Sequence, residues 1–132
     1  MTVVLGIDWG SRMLGLAKVS LKENVIFPIG YLQNDGDLYF TLAGIIAQEK
    51  ISQIVVGLPN KELAIQEKIQ AFVKKLQMFV EIPVEYVGED YTSVEAGAML
   101  SEIQKDGTAY KKTLAKDTVA AMKILERWMM AN

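Results

Sequence analysis

The fold is decided by the stretch Val3-Val4-Leu5-Gly6-Ile7-Asp8-Trp9-Gly10-Ser11, near the start of the chain. Five apolar or small residues in a row predict a buried strand, and Asp8 ends it. Trp9 to Arg12 has the composition of a turn. Leu14–Val19 and Val25–Leu32 then read as two further strands. Because the connections are short, we expect these strands to be antiparallel neighbours.

The rest of the chain alternates helical and strand patterns. A turn with a cap at 34–37 is followed by a helix to about Lys50 and a short apolar strand at Ile54–Val56. Next come a helix that Asn60 caps and that runs to about Phe79, and a strand at Val84–Val87. Two helices complete the chain, one from the Thr92/Glu95 capping box to about Gln104 and one over roughly Lys116–Met130. This order predicts one α/β domain over residues 1–132. Its mixed sheet has three antiparallel strands followed by two parallel strands, with helices on both faces.

The composition restricts the chemistry that the chain can perform. Of the 132 residues, 51% are hydrophobic and 23% charged, which suits a globular domain, and there is no His and no Cys. Ser-His and Cys-His nucleophile pairs are therefore excluded, and a zinc site is disfavoured. Any bound metal must use oxygen ligands, which indicates Mg²⁺ or Mn²⁺. We find no membrane-length apolar run and no basic leader segment, so we expect a cytoplasmic protein that does not bind membranes.

Acidic residues are predicted to gather at one edge of the sheet. Asp8 ends the first strand, and Glu89 and Asp90 follow the last one, where ligands collect in α/β sheets. Asp117 shares the apolar face of the last helix, which makes its burial costly unless it is paired or metal-bound. Alternative interpretations are open: Asp8 as a turn acid, Glu89 and Asp90 as solvated loop acids, and Asp117 as the N-cap of a helix starting at Thr118.

Converging carboxylates would suit two-metal hydrolysis of phosphodiester bonds. Gly10 and Ser11 allow a close backbone approach, and Arg12 is a candidate phosphate ligand. Although the net charge is -2, lysines concentrate between residues 105 and 116. The candidates for contact with nucleic acid are Lys111, Lys112 and Lys116. The alternative for this segment is a solvated loop.

Four segments of the chain resemble the YqgF/RuvX family of RNase H-like proteins. They are Gly6–Ser11 with Leu14–Ala17, Ile54–Pro59, Val87–Glu89 with Thr92–Ala96, and Asp117 with Ala120-Ala121 and Ile124-Leu125. The family is described both as Holliday-junction resolvases and as nucleases that mature the 5′ end of precursor 16S ribosomal RNA. The resemblance implies a bacterial Mg²⁺- or Mn²⁺-dependent nuclease whose metal-binding acids are Asp8, Glu89 and Asp117. Asp90 is a candidate substitute ligand from this chain's own residues.

The chain departs from the family pattern in three places. The third segment usually reads Asp-Glu-Arg, and here Gly88, Glu89 and Asp90 occupy those positions. Two basic residues usually follow Gly-Ser, and here only Arg12 does. The loop after Pro59 is shorter than usual. These departures keep a second hypothesis open, in which a non-catalytic module of the same fold binds nucleic acid or a protein partner.

A third hypothesis is a nucleotide-phosphate binder that uses the Asp8–Ser11 turn. The sequence does not choose between precursor ribosomal RNA and branched DNA as the substrate. A resolvase that cuts two strands symmetrically usually requires a homodimer, and the sequence leaves the oligomeric state open.

Overall fold

The computed structural model describes residues 2–89 and 115–131. Its elements in chain order are β1 (Val3–Asp8), β2 (Met13–Ser20), β3 (Val25–Gln33), α1 (Leu38–Gln48), β4 (Gln53–Pro59), α2 (Leu63–Leu76), β5 (Val84–Glu89) and α3 (Lys116–Ala131). The predicted helix over 92–104 lies outside the described residues, as do Asp90, Lys111 and Lys112.

The five strands form one sheet in the order β3-β2-β1-β4-β5. The strands β1, β2 and β3 pair in antiparallel fashion, and β4 and β5 continue the sheet in parallel with β1. This arrangement confirms the predicted mixed sheet of three antiparallel and two parallel strands.

Each face of the sheet is covered by helices. On one face, alternate residues of β1 and β2 such as Leu5 and Leu16 pack with α1 and α2 in a buried cluster. On the other face, Val4 and Ala17 pack against Ala121, Ile124 and other residues of α3. The alternation of strand side chains thus sends one set of residues to each helical layer, as expected for a covered sheet.

One detail of the sequence-based prediction is wrong, and so is one of its alternatives. Helix α2 begins at Leu63 after Glu62, so Asn60 does not cap it; β4 instead continues through Pro59, since it gains a partner strand in β5. Helix α3 begins at Lys116, with Val119 N–H donating to the carbonyl of Ala115 at 3.1 Å. Asp117 is therefore inside the first turn and is not the N-cap.

Within the described part of the chain, no helix has the length and apolar composition that a membrane span needs.

Candidate active site

Three parallel strands end side by side at one edge of the sheet. Strand β1 ends at Asp8, β4 at Pro59 and β5 at Glu89. In the register of the sheet, Ile7 is paired with Val56, and Pro59 with Glu89. Because β1 and β5 flank β4, the two predicted acids at strand ends are separated by one strand at this edge. Asp8 itself is half-buried.

A glycine brings the first turn of α3 to this edge. Gly15 is the cross-strand partner of Asp8. A Cβ atom on Gly15 would lie 1.8 Å from the backbone carbonyl oxygen of Asp117 and 2.2 Å from its carbonyl carbon. Paired residues on antiparallel strands have Cα atoms about 4.5–5.5 Å apart. The backbone of Asp117 is therefore directly adjacent to the pair formed by Asp8 and Gly15.

Asp8 belongs to the face of the sheet that α3 covers. Two residues earlier on β1, a Cβ on Gly6 would lie 2.5 Å from the Cγ of Leu125 and 3.1 Å from the carbonyl oxygen of Ala121. Residues two apart on a strand share a face. Asp8 thus extends toward the layer that contains α3, at the end of the strand where that helix begins.

A buried hydroxyl fixes the start of α3 on the sheet. Thr118 is 1% exposed, and its Oγ1 donates to the carbonyl oxygen of Gly30 on β3 at 2.8 Å. Gly30 has φ +142°, a backbone conformation that other residues rarely adopt. This bond ties the first turn of α3 to β3, so the position of Asp117 is set by contacts on both β2 and β3.

The turn after Asp8 is held in place by Asn34. The side-chain Nδ2 of Asn34 donates to the carbonyl of Gly10 at 2.8 Å, and its backbone N–H donates to the carbonyl of Arg12 at 2.9 Å. Gly10 lies so close to Met13 that a Cβ would meet the carbonyl oxygen of Met13 at 2.6 Å. The side chain of Arg12 is exposed at the tip of this fixed turn, where it is available to an anionic ligand.

Polar residues after β4 complete the described edge. The side chain of Asn60 lies beside Gly88, where a Cβ would be 3.1 Å from its Oδ1. The Nε2 of Gln66 donates to the carbonyl of Pro59. The sequence patterns indicated neither contact. The contact of Asn60 depends on how β4 pairs with β5, and the bond from Gln66 depends on where β4 ends. The only signal for Asn60 was its position directly after an apolar strand.

The predicted site residues fall into three groups. Asp8 and Asp117 lie together around Gly15. The exposed Arg12 is in the turn between β1 and β2, and the exposed Lys116 directly precedes Asp117. Glu89 is the last residue of β5, at the same edge. The remaining candidates, Asp90, Lys111 and Lys112, are among the residues that the structure does not describe. Among those that it does describe, no three acids form a group that could hold a metal ion. A three-acid site at Asp8, Glu89 and Asp117 stays a prediction.

The donors at this edge suit a hard divalent cation. The chain has no His and no Cys, so carboxylate, amide and carbonyl oxygens are the protein ligands it can offer, and these are the ligands of Mg²⁺ and Mn²⁺. The close packing at Gly15 brings two carboxylate-bearing residues from different elements to one place. The oxygen donors of Asp8 and Asp117 therefore suit a divalent metal chemically, and the third carboxylate that would complete such a site stays a prediction.

The fold is that of RNase H-like resolvases. The structure of T. thermophilus RuvC in complex with a Holliday junction substrate is similar with a TM-score of 0.64 and 17% identity, over 94% of this chain and 90% of that chain. The fowlpox virus resolvase in complex with Holliday junction DNA is similar with a TM-score of 0.66 and 14% identity, over 98% of each chain.

Sequence comparison identifies the family. The model of the RuvX family, described as "Holliday junction resolvase", matches residues 2–131. A protein of Mycoplasma pneumoniae is 31% identical over 98% of this chain and 96% of its own length, and one of Francisella tularensis subsp. tularensis is 30% identical over 98% and 97%. Both relatives carry the name "Putative pre-16S rRNA nuclease". The chain belongs to the RuvX family, which confirms the resemblance found in the sequence.

Proposed function

We propose that this protein is a divalent-metal-dependent nuclease that hydrolyses phosphodiester bonds at the edge formed by Asp8 and Asp117. The observation that carries the proposal is the contact of the Asp117 backbone with Gly15, the strand partner of Asp8. The close packing of the start of α3 on Gly15 brings two acidic residues from different elements to one place. Glu89, at the end of β5, is the proposed third ligand, and Asp90 an additional one.

Asp8, Glu89 and Asp117 would hold the metal through their carboxylates. When bound, divalent ions supply the charge that activates water and stabilises the leaving oxygen in phosphodiester hydrolysis. Arg12, at the tip of the turn that Asn34 holds, would bind a phosphate oxygen of the substrate. Lys116, exposed at the start of α3, would neutralise a neighbouring phosphate, and Lys111 and Lys112 are proposed to extend this contact.

The proposed substrate is the 5′ end of precursor 16S ribosomal RNA, which would place the protein in ribosome biogenesis. The names of the relatives from Mycoplasma pneumoniae and Francisella tularensis support this choice. The description of the RuvX family supports a second candidate, the Holliday junction. That substrate would ask for a homodimer, because two symmetric cuts need two active sites.

The proposal is tested by incubating the purified chain with a precursor 16S RNA fragment or a four-way DNA junction, in Mg²⁺ or Mn²⁺. We expect cleavage of the RNA, and we expect Asp8→Asn to abolish it without a change in the free energy of unfolding greater than about 1 kcal/mol. Asp37→Asn is the matched control. Asp37 is an exposed acid before α1 whose side chain makes no capping bond, so this variant should cut like the parent.

The outcomes separate the hypotheses. Cleavage of the junction alone would select the second candidate substrate. Binding of either nucleic acid without cleavage in both metals would instead support the non-catalytic module. An Asp8→Asn protein that cuts as well as the parent would refute the proposed site.

A further inference from the structure

An exposed tyrosine lies in the same row of the sheet as the proposed catalytic acid. Gly15 on β2 is paired with Asp8 on one side and with Tyr31 of β3 on the other. Directly paired residues on antiparallel strands extend to the same face, and neighbouring strands are about 4.8 Å apart. Tyr31 therefore lies on the α3 face of the sheet, with its Cα about 10 Å from that of Asp8.

The position of α3 leaves this tyrosine uncovered. The helix begins over Gly15 and runs toward the other end of the sheet, where it covers Ile26 of the same strand. Tyr31 remains 52% exposed. The bond from Thr118 Oγ1 to the carbonyl of Gly30 places the first turn of α3 beside it. A large aromatic ring is thus half-exposed next to a fixed helix start.

The charges around Tyr31 suit a nucleic-acid strand. Lys116, the first residue of α3, is exposed in the turn that Thr118 anchors beside β3. Arg12 is exposed on the turn that precedes β2, and Asn34, three residues after Tyr31, holds that turn. Proteins bind single-stranded nucleic acids with this combination of an exposed aromatic ring and exposed cations on neighbouring segments, since the bases stack and the phosphates are neutralised.

We propose that Tyr31 stacks on an unpaired nucleobase of the substrate, one nucleotide away from the phosphate held at Asp8 and Asp117. This inference rests on the proposed nuclease function and names its substrate class: a strand whose bases are unpaired at the cleavage point. Stacking on a side chain requires a base that is splayed out of a duplex, which is the common mode for sequence-specific RNA recognition. Unpaired bases of RNA and of DNA can both stack in this way, and the binding experiment below distinguishes the two.

Binding is measured by fluorescence anisotropy with a labelled single-stranded RNA oligonucleotide, a DNA oligonucleotide of the same sequence and a blunt RNA duplex. The Asp8→Asn chain serves as the reference protein, so that cleavage does not interfere. Adding Tyr31→Thr, which removes the ring and keeps a strand-forming residue, should weaken binding to the single strands about tenfold and change duplex binding little. A stronger effect on RNA than on DNA would identify RNA as the source of the base.

Two further variants make the test specific. Tyr31→Phe keeps the ring and should bind like the reference protein. Phe27→Ala removes an aromatic ring of similar exposure from the same strand, but on the opposite face, where Phe27 is paired with Lys18; it should also bind like the reference. Equal binding by Tyr31→Thr and its reference, with the parent chain still cutting RNA, would overturn the stacking role alone. Failure of the parent chain to bind or cut any nucleic acid would refute the proposed function itself.

Discussion

The backbone carbonyl of Asp117 lies directly over Gly15. It occupies the space that a side chain on Gly15 would need, because a Cβ there would be 1.8 Å from the carbonyl oxygen. The start of α3 and the middle of the sheet thus approach as closely as a backbone allows. Gly15 is paired with Asp8, so the same contact sets the separation of two acids. The geometry of the proposed site depends on the absence of a side chain.

The first prediction concerns this contact. Gly15→Ala should push the first turn of α3 off the sheet and lower the free energy of unfolding by about 1–3 kcal/mol, as overpacking does. Cleavage should fall further than this loss of stability explains, because Asp117 moves away from Asp8. Gly44→Ala is the matched control. Gly44 lies in α1, where an added Cβ would meet nothing within 4 Å beyond the adjacent backbone of its own helix, and the change should stabilise by up to about 1 kcal/mol.

Urea denaturation and cleavage rates measured on both variants check this prediction. A Gly15→Ala protein with parental stability and activity would show that α3 can shift without cost.

The second prediction concerns Asn34. Asn34→Asp keeps the size of the side chain but removes the N–H group that donates to the carbonyl of Gly10. We expect the free energy of unfolding to fall by about 1–3 kcal/mol, because the carbonyl of Gly10 loses its donor and faces a carboxylate oxygen instead. Because the turn positions Arg12, the KM for nucleic acid should rise more than kcat falls. Steady-state cleavage kinetics measure both, and a change confined to kcat would contradict a role in phosphate binding.

The third prediction concerns metal binding and stability. A ligand that binds the folded chain alone raises the melting temperature as its concentration rises. Mg²⁺ or Mn²⁺ should therefore raise the melting temperature of the parent chain, and Asp8→Asn should remove most of that increase. Thermal unfolding is followed by circular dichroism, with NaCl of equal ionic strength as the control for screening. Equal metal-dependent shifts in parent and variant would place the metal elsewhere.

The fourth prediction concerns alkaline pH. Partial burial raises the pKa of Tyr39 above its ordinary value of 10.0. Its ring stacks on Phe79 with centroids 5.5 Å apart, and Lys75 Nζ lies 4.9 Å from its centroid. Folding keeps this phenol neutral, and this contributes to the free energy of unfolding. The contribution is complete below the pKa of the tyrosine in the unfolded chain, and it is lost as pH rises through its pKa in the folded chain. The free energy of unfolding should therefore decrease as pH rises above about 10.

The variant Tyr39→Phe isolates this contribution. It should lose less stability than the parent between about pH 8 and about pH 11, as measured by urea denaturation at each pH. Tyr86, whose pKa is raised by burial as well, contributes in the same direction in both proteins. Parallel pH profiles for parent and variant would contradict the assignment.

Local patterns were sufficient for most of the architecture. The apolar run Val3–Ile7 and the short spacing to Leu14 predicted the antiparallel strands, because the signal and the structure both involve neighbouring residues. The boundary of β4 was less accessible. Gly57 to Pro59 extend that strand only because β5 pairs with it, and this pairing involves residues about 30 positions away in sequence. Asn60 was given a capping role for the same reason, since the end of β4 was placed too early.

The site shows a similar division between local and non-local information. Asp8 and Asp117 were identified as candidates because an acid after an apolar strand and an acid on an apolar helix face are visible in the sequence. The features that bring them together were missed: Gly15 beneath α3, and the bond from Thr118 to Gly30. Both depend on which strands the last helix crosses, and that information is contained in no single segment.

The irregularity of β3 also bears on edge-to-edge strand pairing between copies of this chain. The strand lies at the outer side of the sheet, and its register with β2 shifts between Leu16 and Ala17. Pro28, which has no N–H group, lies next to that shift. An exposed strand with apolar side chains such as Val25 and Phe27 is a template for aggregation, and a bulge with a proline prevents a foreign strand from continuing the hydrogen-bond ladder. The distortion that presents the Gly30 carbonyl to Thr118 therefore also makes this edge a poor template for an added strand.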